Sequence, residues 1–385
     1  PSGLYIFNFD EAVGKRRFAR RNLHVLSSIH KVSEFLIKKV DWSPDQVEVR
    51  IFEPIERWTG WRYEEGHIRL AGGDEFSEKN IIHEYVHAIN SMLYGLPSYF
   101  EGVGGEHDLN YESSQRAAWI EAWPHFFIAH ILGREWVRLA KGKCIQDIEN
   151  NLWYYGVDGD WRDNSGEVVE GAIASVLWDL SDGVGEDDEF DGDLMTIWSV
   201  LKEKRPVNFR QFWESFNGGQ TFRRICETNG IVYSRGKILG IKTKDGLRRL
   251  KDGDPLPRIF TLKVGALTKE ELNVVTALDE IDGAIIQCKK VPKKGVEWET
   301  EWDMEGWETI GRLDEEGWRG GWVRCDATRL PPGEYQLVIR VKSKNGYDTL
   351  RPIEIRGRDG VVRMANPLLL SHLRRLGTIV TVVFR

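Results

Sequence analysis

The chain has 385 residues, more than one hydrophobic core usually organises, so two domains are expected. Hydrophobic residues at 41% and charged residues at 29% mark a globular protein, and no apolar run approaches the roughly 20 residues of a membrane helix, which excludes a membrane span. A net charge of −7 gives no broad basic field and argues against nucleic acid as the main partner.

Pro1 stands where a methionine would begin a chain, so a processed chain with any targeting segment removed is expected. Cys144, Cys226, Cys288 and Cys325 are far apart and form no CxxC pair, which disfavours a zinc knuckle and leaves disulfides or buried thiols open. Residues 3–8 read as a short strand, and the basic stretch 14–22 reads as a solvated helix face. Apolar residues from Val25 to Val40 recur at helical spacing, and residues 46–52 and 67–70 read as strands.

Residues 81–90, Ile-Ile-His-Glu-Tyr-Val-His-Ala-Ile-Asn, hold an HExxH segment. On a helix advancing about 100° per residue, His83 and His87 stand one turn apart on one face, so both imidazoles can grip a single zinc ion. Glu84, beside the first histidine, is placed to take a proton from water without being a ligand. Ser77 is a candidate N-cap, Gly95 a candidate C-cap, and Pro97 prevents continuation.

Up to this helix the order resembles the zinc metallopeptidases of the gluzincin group, whose upper lobe is a twisted sheet backed by an HExxH helix. The resemblance implies an edge strand that pairs with the substrate backbone, and residues 66–70 stand at the matching position. Two histidines leave zinc short of a protein ligand. The metzincin extension is absent, since Asn90 and Leu93 stand where its glycine and histidine would be. Glu121 is a lone carboxylate in the aromatic run Ala-Ala-Trp-Ile-Glu-Ala-Trp-Pro-His-Phe-Phe, and by similarity to the gluzincin second helix it takes the role of third ligand. Ala122 replaces a common glycine, and Pro124 is expected to interrupt or kink the helix. His125 stands where relatives often carry an acid that orients a zinc histidine, so a supporting, substrate-facing or merely structural role is open. Glu106, His107, Asp108 and Glu112 are rival ligands in a polar, glycine-rich loop. Oxyanion stabilisation is left open among Tyr154, Tyr155, His107, His125 and His130.

Residues 168–180 read as a helix whose Asp179 either orients His83 or His87 or ends the helix by local hydrogen bonding. Two acidic loops, 158–163 and 186–193, have the oxygen ligands for calcium without its EF-hand register, so solvated turns are the better reading. Helices at 195–201 and 209–227 complete the lobe, and the gluzincin resemblance covers residues 1–230. Beyond Tyr233 the pattern alternates, with candidate strands at 258–264, 274–278, 284–290, 320–325, 334–341, 353–355 and 377–384, and a short helix at 368–376. The late strands resemble those of immunoglobulin-like or fibronectin-like modules.

The expectation is therefore an α+β chain: a zincin-like domain at 1–235, mostly helical with a small N-terminal sheet, a connector with one hairpin at 236–257, and an all-β sandwich at 258–385. The expected activity is zinc-dependent hydrolysis of peptides or proteins, with Glu84 as general base and an extracellular or cell-surface location. The alternatives are an inactive zincin-like adhesion protein and an intracellular processing factor.

Overall fold

The computed structural model describes residues 7–8, 15–51, 59–62, 64–71, 74–95, 97–100, 103, 107–133, 136–138, 145–154, 166–182, 193–231, 235–267, 281–291, 306–348, 353–356, 362–365, 375 and 377–384. The architecture is mixed α+β, and the chain falls into two compact units, Pro1–Phe216 and Asn217–Arg385. Residues 3–6, 158–163, 186–192, 274–278 and 368–374, with Glu106, Cys144 and Tyr155, lie outside the described residues, and with them most of both calcium-loop candidates.

The first unit opens with β1, Phe7–Asn8, and the long helix α1, Lys15–Val40. Val25, Ile29, Val32, Leu36 and Val40 recur every three or four residues and are buried. One residue of the basic stretch departs from the solvated reading: Arg21 is buried, with Nε 2.8 Å from the carboxylate of the equally buried Glu75. Strands β2, Glu48–Ile51, β3, Gly60–Arg62, and β4, His67–Leu70, join β1 in a sheet of order β1-β2-β4-β3. The expected edge strand at 66–70 is thus interior, paired in parallel with β2 and antiparallel with β3. Among the described strands the edges are β1 and β3, and β3, the one that pairs with β4, has three residues, too few to show an alternating pattern in the sequence.

Helix α2, Glu78–Tyr94, begins at Ser77, whose hydroxyl accepts from Asn80 N–H, and ends at Gly95 with φ of 65°. Helix α3, Gln115–Leu132, packs against it and continues through Pro124 without ending. Proline removes one backbone donor, and the burial of Trp119, Trp123, Phe126 and Phe127 outweighs that loss. A hairpin of β5, Trp136–Arg138, and β6, Ile145–Asp147, leads to α4, Glu170–Asp179, which packs on α3. Helices α5, Leu194–Lys204, and α6, Phe209–Ser215, close the unit. The single helix expected over 209–227 is two: Phe216 is extended, Gly219 has φ of 59°, and α7, Gly219–Thr228, falls in the second unit.

In that unit β7, Gly236–Thr243, β8, Gly246–Arg248, β9, Asp254–Leu256, β10, Ile259–Ala266, β11, Gly283–Lys290, β12, Glu308–Leu313, β13, Trp322–Asp326, β14, Gly333–Ser343, β15, Gly346–Tyr347, β16, Ile353–Arg356, β17, Val362–Ala365, and β18, Ile379–Phe384, follow in order. One sheet runs β13-β10-β7-β8, a larger one runs β12-β11-β14-β18-β9, and both contribute to one apolar cluster. The stretch read as a connector carries β7, β8 and β9: Ile238, Ile241, Leu250 and Leu256 enter that cluster, while the lysines, glycines and aspartates around them mask the alternation. The strand expected from 320 begins at Trp322, preceded by a short helix, Glu315–Gly320. Cys226, Cys288 and Cys325 are buried. Arg223 of α7 is buried against Glu227, at 3.1 Å, and donates to Ser343 Oγ, while Arg235 lies 3.1 Å from Asp348 and 3.4 Å from Glu227.

Candidate metal centre

On α2 the spacing of four turns His83 and His87 toward α3, from which Glu121 reaches back. Glu121 Oε2 lies 3.2 Å from His83 Nε2 and 3.1 Å from His87 Nε2, and the two imidazole nitrogens are 3.2 Å apart. These three are the group that could hold a metal among the described residues. The donor set fits zinc in kind and in spacing: two imidazoles and a carboxylate are zinc ligands, and bonds of about 2.0–2.1 Å in a tetrahedron put ligand atoms about 3.3–3.4 Å apart.

Burial lowers His83 from the ordinary histidine range. Burial pulls His87 the same way, but the charge and hydrogen bond of Glu121 outweigh it and leave His87 raised. Glu121 would be raised by burial, yet the two histidines hold it well below the usual carboxylate range. Glu84 is buried beside His83 and outside the trio, its Oε2 accepting from Trp61 N–H on the edge strand β3 at 2.7 Å.

His125, one turn beyond Glu121, lies against the trio: its ring meets that of His83 edge-on at 5.4 Å, and burial, with Lys79 and His83, pushes it well below its ordinary pKa. Its Nε2 is 3.5 Å from Glu170 Oε2. Glu170, the first residue of α4, has no exposed side-chain surface and faces His107 Nδ1 at 3.1 Å. Burial raises Glu170 to about 7, and the nearby Glu170 carboxylate raises His107 to about 9. The other nitrogen of His107 looks back at Glu121 Oε2 from 3.8 Å.

Asp179 is not brought to the site. It closes α4 about 13 Å of helix beyond Glu170, where Trp178 and Ser181 meet His130. Neither Asp108, which accepts from Leu109 N–H, nor the exposed Glu112 belongs to the trio. His130 sits at the far end of α3. Glu170 is the residue that sequence reasoning missed. Its signal was present, as one acid in the apolar run Val-Val-Glu-Gly-Ala-Ile-Ala, the same feature that marks Glu121.

Residues 37–235, more than half of the chain, match the family profile described as the mycolysin C-terminal domain. The chain belongs to that family. The mycolysin domain is part of a zinc metallopeptidase family, and residues 37–235 contain the trio, Glu84, His107 and Glu170. No curated protein matches. Among solved structures, a Bacillus amyloliquefaciens CBM33 protein in complex with Cu(I) is 8% identical with a TM-score of 0.18, over 49% of this chain and 94% of that one. An endo-β-1,4-mannanase from Thermotoga petrophila is 10% identical with a TM-score of 0.18, over 95% of this chain and 62% of that one. At that level neither likeness bears on fold or chemistry. No described helix is long and apolar enough to cross a membrane.

Proposed function

We propose that this mycolysin-family protein is a zinc-dependent peptidase, with a zincin-like first unit followed by a β-sandwich, acting on peptides or proteins outside the cell. The observation that carries the reading is the convergence of His83, His87 and Glu121 on one point, with Glu84 next to them but outside the group. The metallopeptidase family and the two-sheet apolar cluster of the second unit support it further.

His83, His87 and Glu121 would hold the ion, and zinc supplies Lewis-acid chemistry there, polarising a carbonyl and acidifying water. Glu84 takes the proton from the attacking water and passes it to the leaving amine. The Trp61 N–H holds the Glu84 carboxylate in place on the substrate side of the sheet edge. His107, fixed through Nδ1 by Glu170, presents Nε2 toward the trio as the donor that steadies the developing oxyanion. Buried His125 packs on His83 and fixes its ring.

Glu84→Gln tests the reading because it keeps shape and removes the base. Peptide cleavage should fall about 10²–10⁴-fold at equal zinc content and equal melting temperature. A variant as active as its parent would end the proposal, and zinc loss in the variant would mean that Glu84 is a ligand.

A further inference from the structure

In the second unit, the sheet β13-β10-β7-β8 turns one face into the apolar cluster and the other to solvent. Phe260, Leu262, Val264, Val323 and Cys325 take the inner positions, so the alternation of β10 and β13 turns Ile259, Lys263, Trp322 and Arg324 outward. On β7 and β8 the outward residues are Leu239, Lys242 and Leu247, with Lys242 opposite Leu247 and Gly240 opposite Lys263. An added Cβ on Gly240 would lie 2.9 Å from Leu247 Cδ1, and one on Gly265 would lie 3.3 Å from Leu239 Cδ1, so both leucines lie over bare backbone and carry apolar surface across the strands. Leu239, Leu247, Ile259 and Trp322 are four of the nine large hydrophobic side chains exposed among the described residues. Their gathering on one face differs from the single apolar residues scattered over any surface, and such a patch marks a binding surface.

Cations stand among these apolar groups. Lys263 Nζ is 5.1 Å and Lys242 Nζ 5.7 Å from the centroid of the Trp322 ring, and Lys263 also donates to the Gly320 carbonyl at 2.8 Å. Among the described residues, Lys242, Lys263 and Arg324 have no carboxylate within ion-pair distance. Asp326, at the end of β13, is held by the Thr328 N–H at 2.9 Å and the Thr328 hydroxyl at 2.6 Å, with Arg324 and Arg329 near it, and leaves the lysines uncompensated. We propose that this face docks the protein on the surface of an anionic lipid bilayer, with Trp322 and the aliphatic side chains at headgroup level and Lys242, Lys263 and Arg324 on lipid phosphates. Binding to such a surface draws on apolar area and on cations together, and an indole, apolar with a polar N–H, suits the interface. Lysine stems lie along apolar surface while their ammonium groups reach outward. A soluble polyanion would use the cations and leave the apolar side chains in water. A specific protein partner needs about 800 Å² and about 20–30 residues a side, more than these few outward side chains provide. A second copy of the chain would set the same cations against one another.

Co-sedimentation of the chelator-treated full chain with vesicles of equimolar phosphatidylglycerol and phosphatidylcholine, compared with phosphatidylcholine alone, tests the proposal. Binding to the anionic vesicles should be at least about tenfold tighter, and should weaken by at least about tenfold from about 0.05 M to about 0.5 M salt. Lys242→Gln with Lys263→Gln should weaken it by at least about tenfold, and so should Trp322→Ser with Leu247→Ser. Lys202→Gln with Lys204→Gln, on α5, changes the net charge equally and should leave binding unchanged. Should the Trp322 variant fail to fold, Leu247→Ser alone carries the apolar arm, at a side chain that is 53% exposed. No binding of the parent to anionic vesicles, equal binding to neutral ones, a folded Lys242 and Lys263 variant that binds like the parent, or equal damage from the α5 pair would overturn the proposal. Loss of binding in the lysine variant with full binding in the folded apolar variants would overturn it in favour of a polyanion site. A dimer of the lipid-free chain in sedimentation velocity that Leu247→Ser dissociates would overturn it in favour of a contact between copies. Because neither metal nor peptide takes part, failure here leaves the peptidase reading standing, and an inactive protein could still dock.

Discussion

Glu121 and Glu170 are both carboxylates inside apolar helical runs, and their partners set them apart. Glu121 meets two imidazoles and is held low, whereas Glu170 meets chiefly His107 and is raised to about 7 by burial. The ligand should be Glu121. Glu121→Ala is expected to weaken zinc retention by more than about 100-fold, since even groups that only support a ligand cost 10–100-fold. Native mass spectrometry reads the result, and unchanged zinc content would redirect the search to His107. His130 offers a second check at this scale, with Lys39, Trp178, Phe126 and the Ser181 hydroxyl around it. Its folded pKa, about 4, lies below the ordinary value near 6.5. The unfolded chain therefore takes up the proton first as pH falls, so the stability this residue contributes is full above about pH 6.5 and is lost as pH drops toward 4. His130→Asn should flatten that part of the acid sensitivity in melting curves taken from neutral pH to about pH 4.5. A His130 ring signal, assigned by its loss in His130→Asn, that titrates near 6.5 in the folded parent would refute the assignment.

At the scale of elements, the parts governed by short-range chemistry were legible. Four-residue spacing, a serine cap and a left-handed glycine defined α2, and an acid alone among aromatics marked α3. The parts governed by pairing were not. Strand β3 is three residues long, and only its partnership with β4 makes it the edge beside Glu84. Glu170 was obscured because an acid in the first turn of a helix is ordinary there. Helix α4 owes its seat to Gly171, where an added Cβ would lie 2.5 Å from Trp153 Cγ and 2.7 Å from the Leu109 carbonyl oxygen. The backbone oxygen cannot swing aside as a flexible side chain would. Gly171→Ala should destabilise the first unit by about 1–3 kcal/mol and shift α4, moving Glu170 away from His107. Urea unfolding checks the first effect. A variant as stable as its parent would mean that Trp153 and Leu109 can yield.

At the scale of the whole molecule, the change from helical to alternating patterns was legible, but where the second folding unit starts was not. A boundary at 235 follows the composition, whereas the compact units divide at Phe216 and Asn217 and put α7 with the strands. The charges inside the second unit make the choice testable. Asp348 is fully buried and raised by that burial, with Arg235 at 3.1 Å as its partner, and Arg223 of α7 donates to Ser343 and to the Gly346 carbonyl. A piece beginning at 236 loses both arginines and leaves Asp348 with Arg340, whose Nε is 3.9 Å away. Removing one partner from a buried ion pair costs about 3–5 kcal/mol, a large share of the roughly 5–15 kcal/mol that holds a domain together. Residues 217–385 expressed alone should therefore melt cooperatively, while 236–385 should show no cooperative transition or one far below it. Differential scanning calorimetry of the two pieces decides the matter, and equal melting temperatures would restore the boundary at 235 and reduce α7 to an appendage of the sheets.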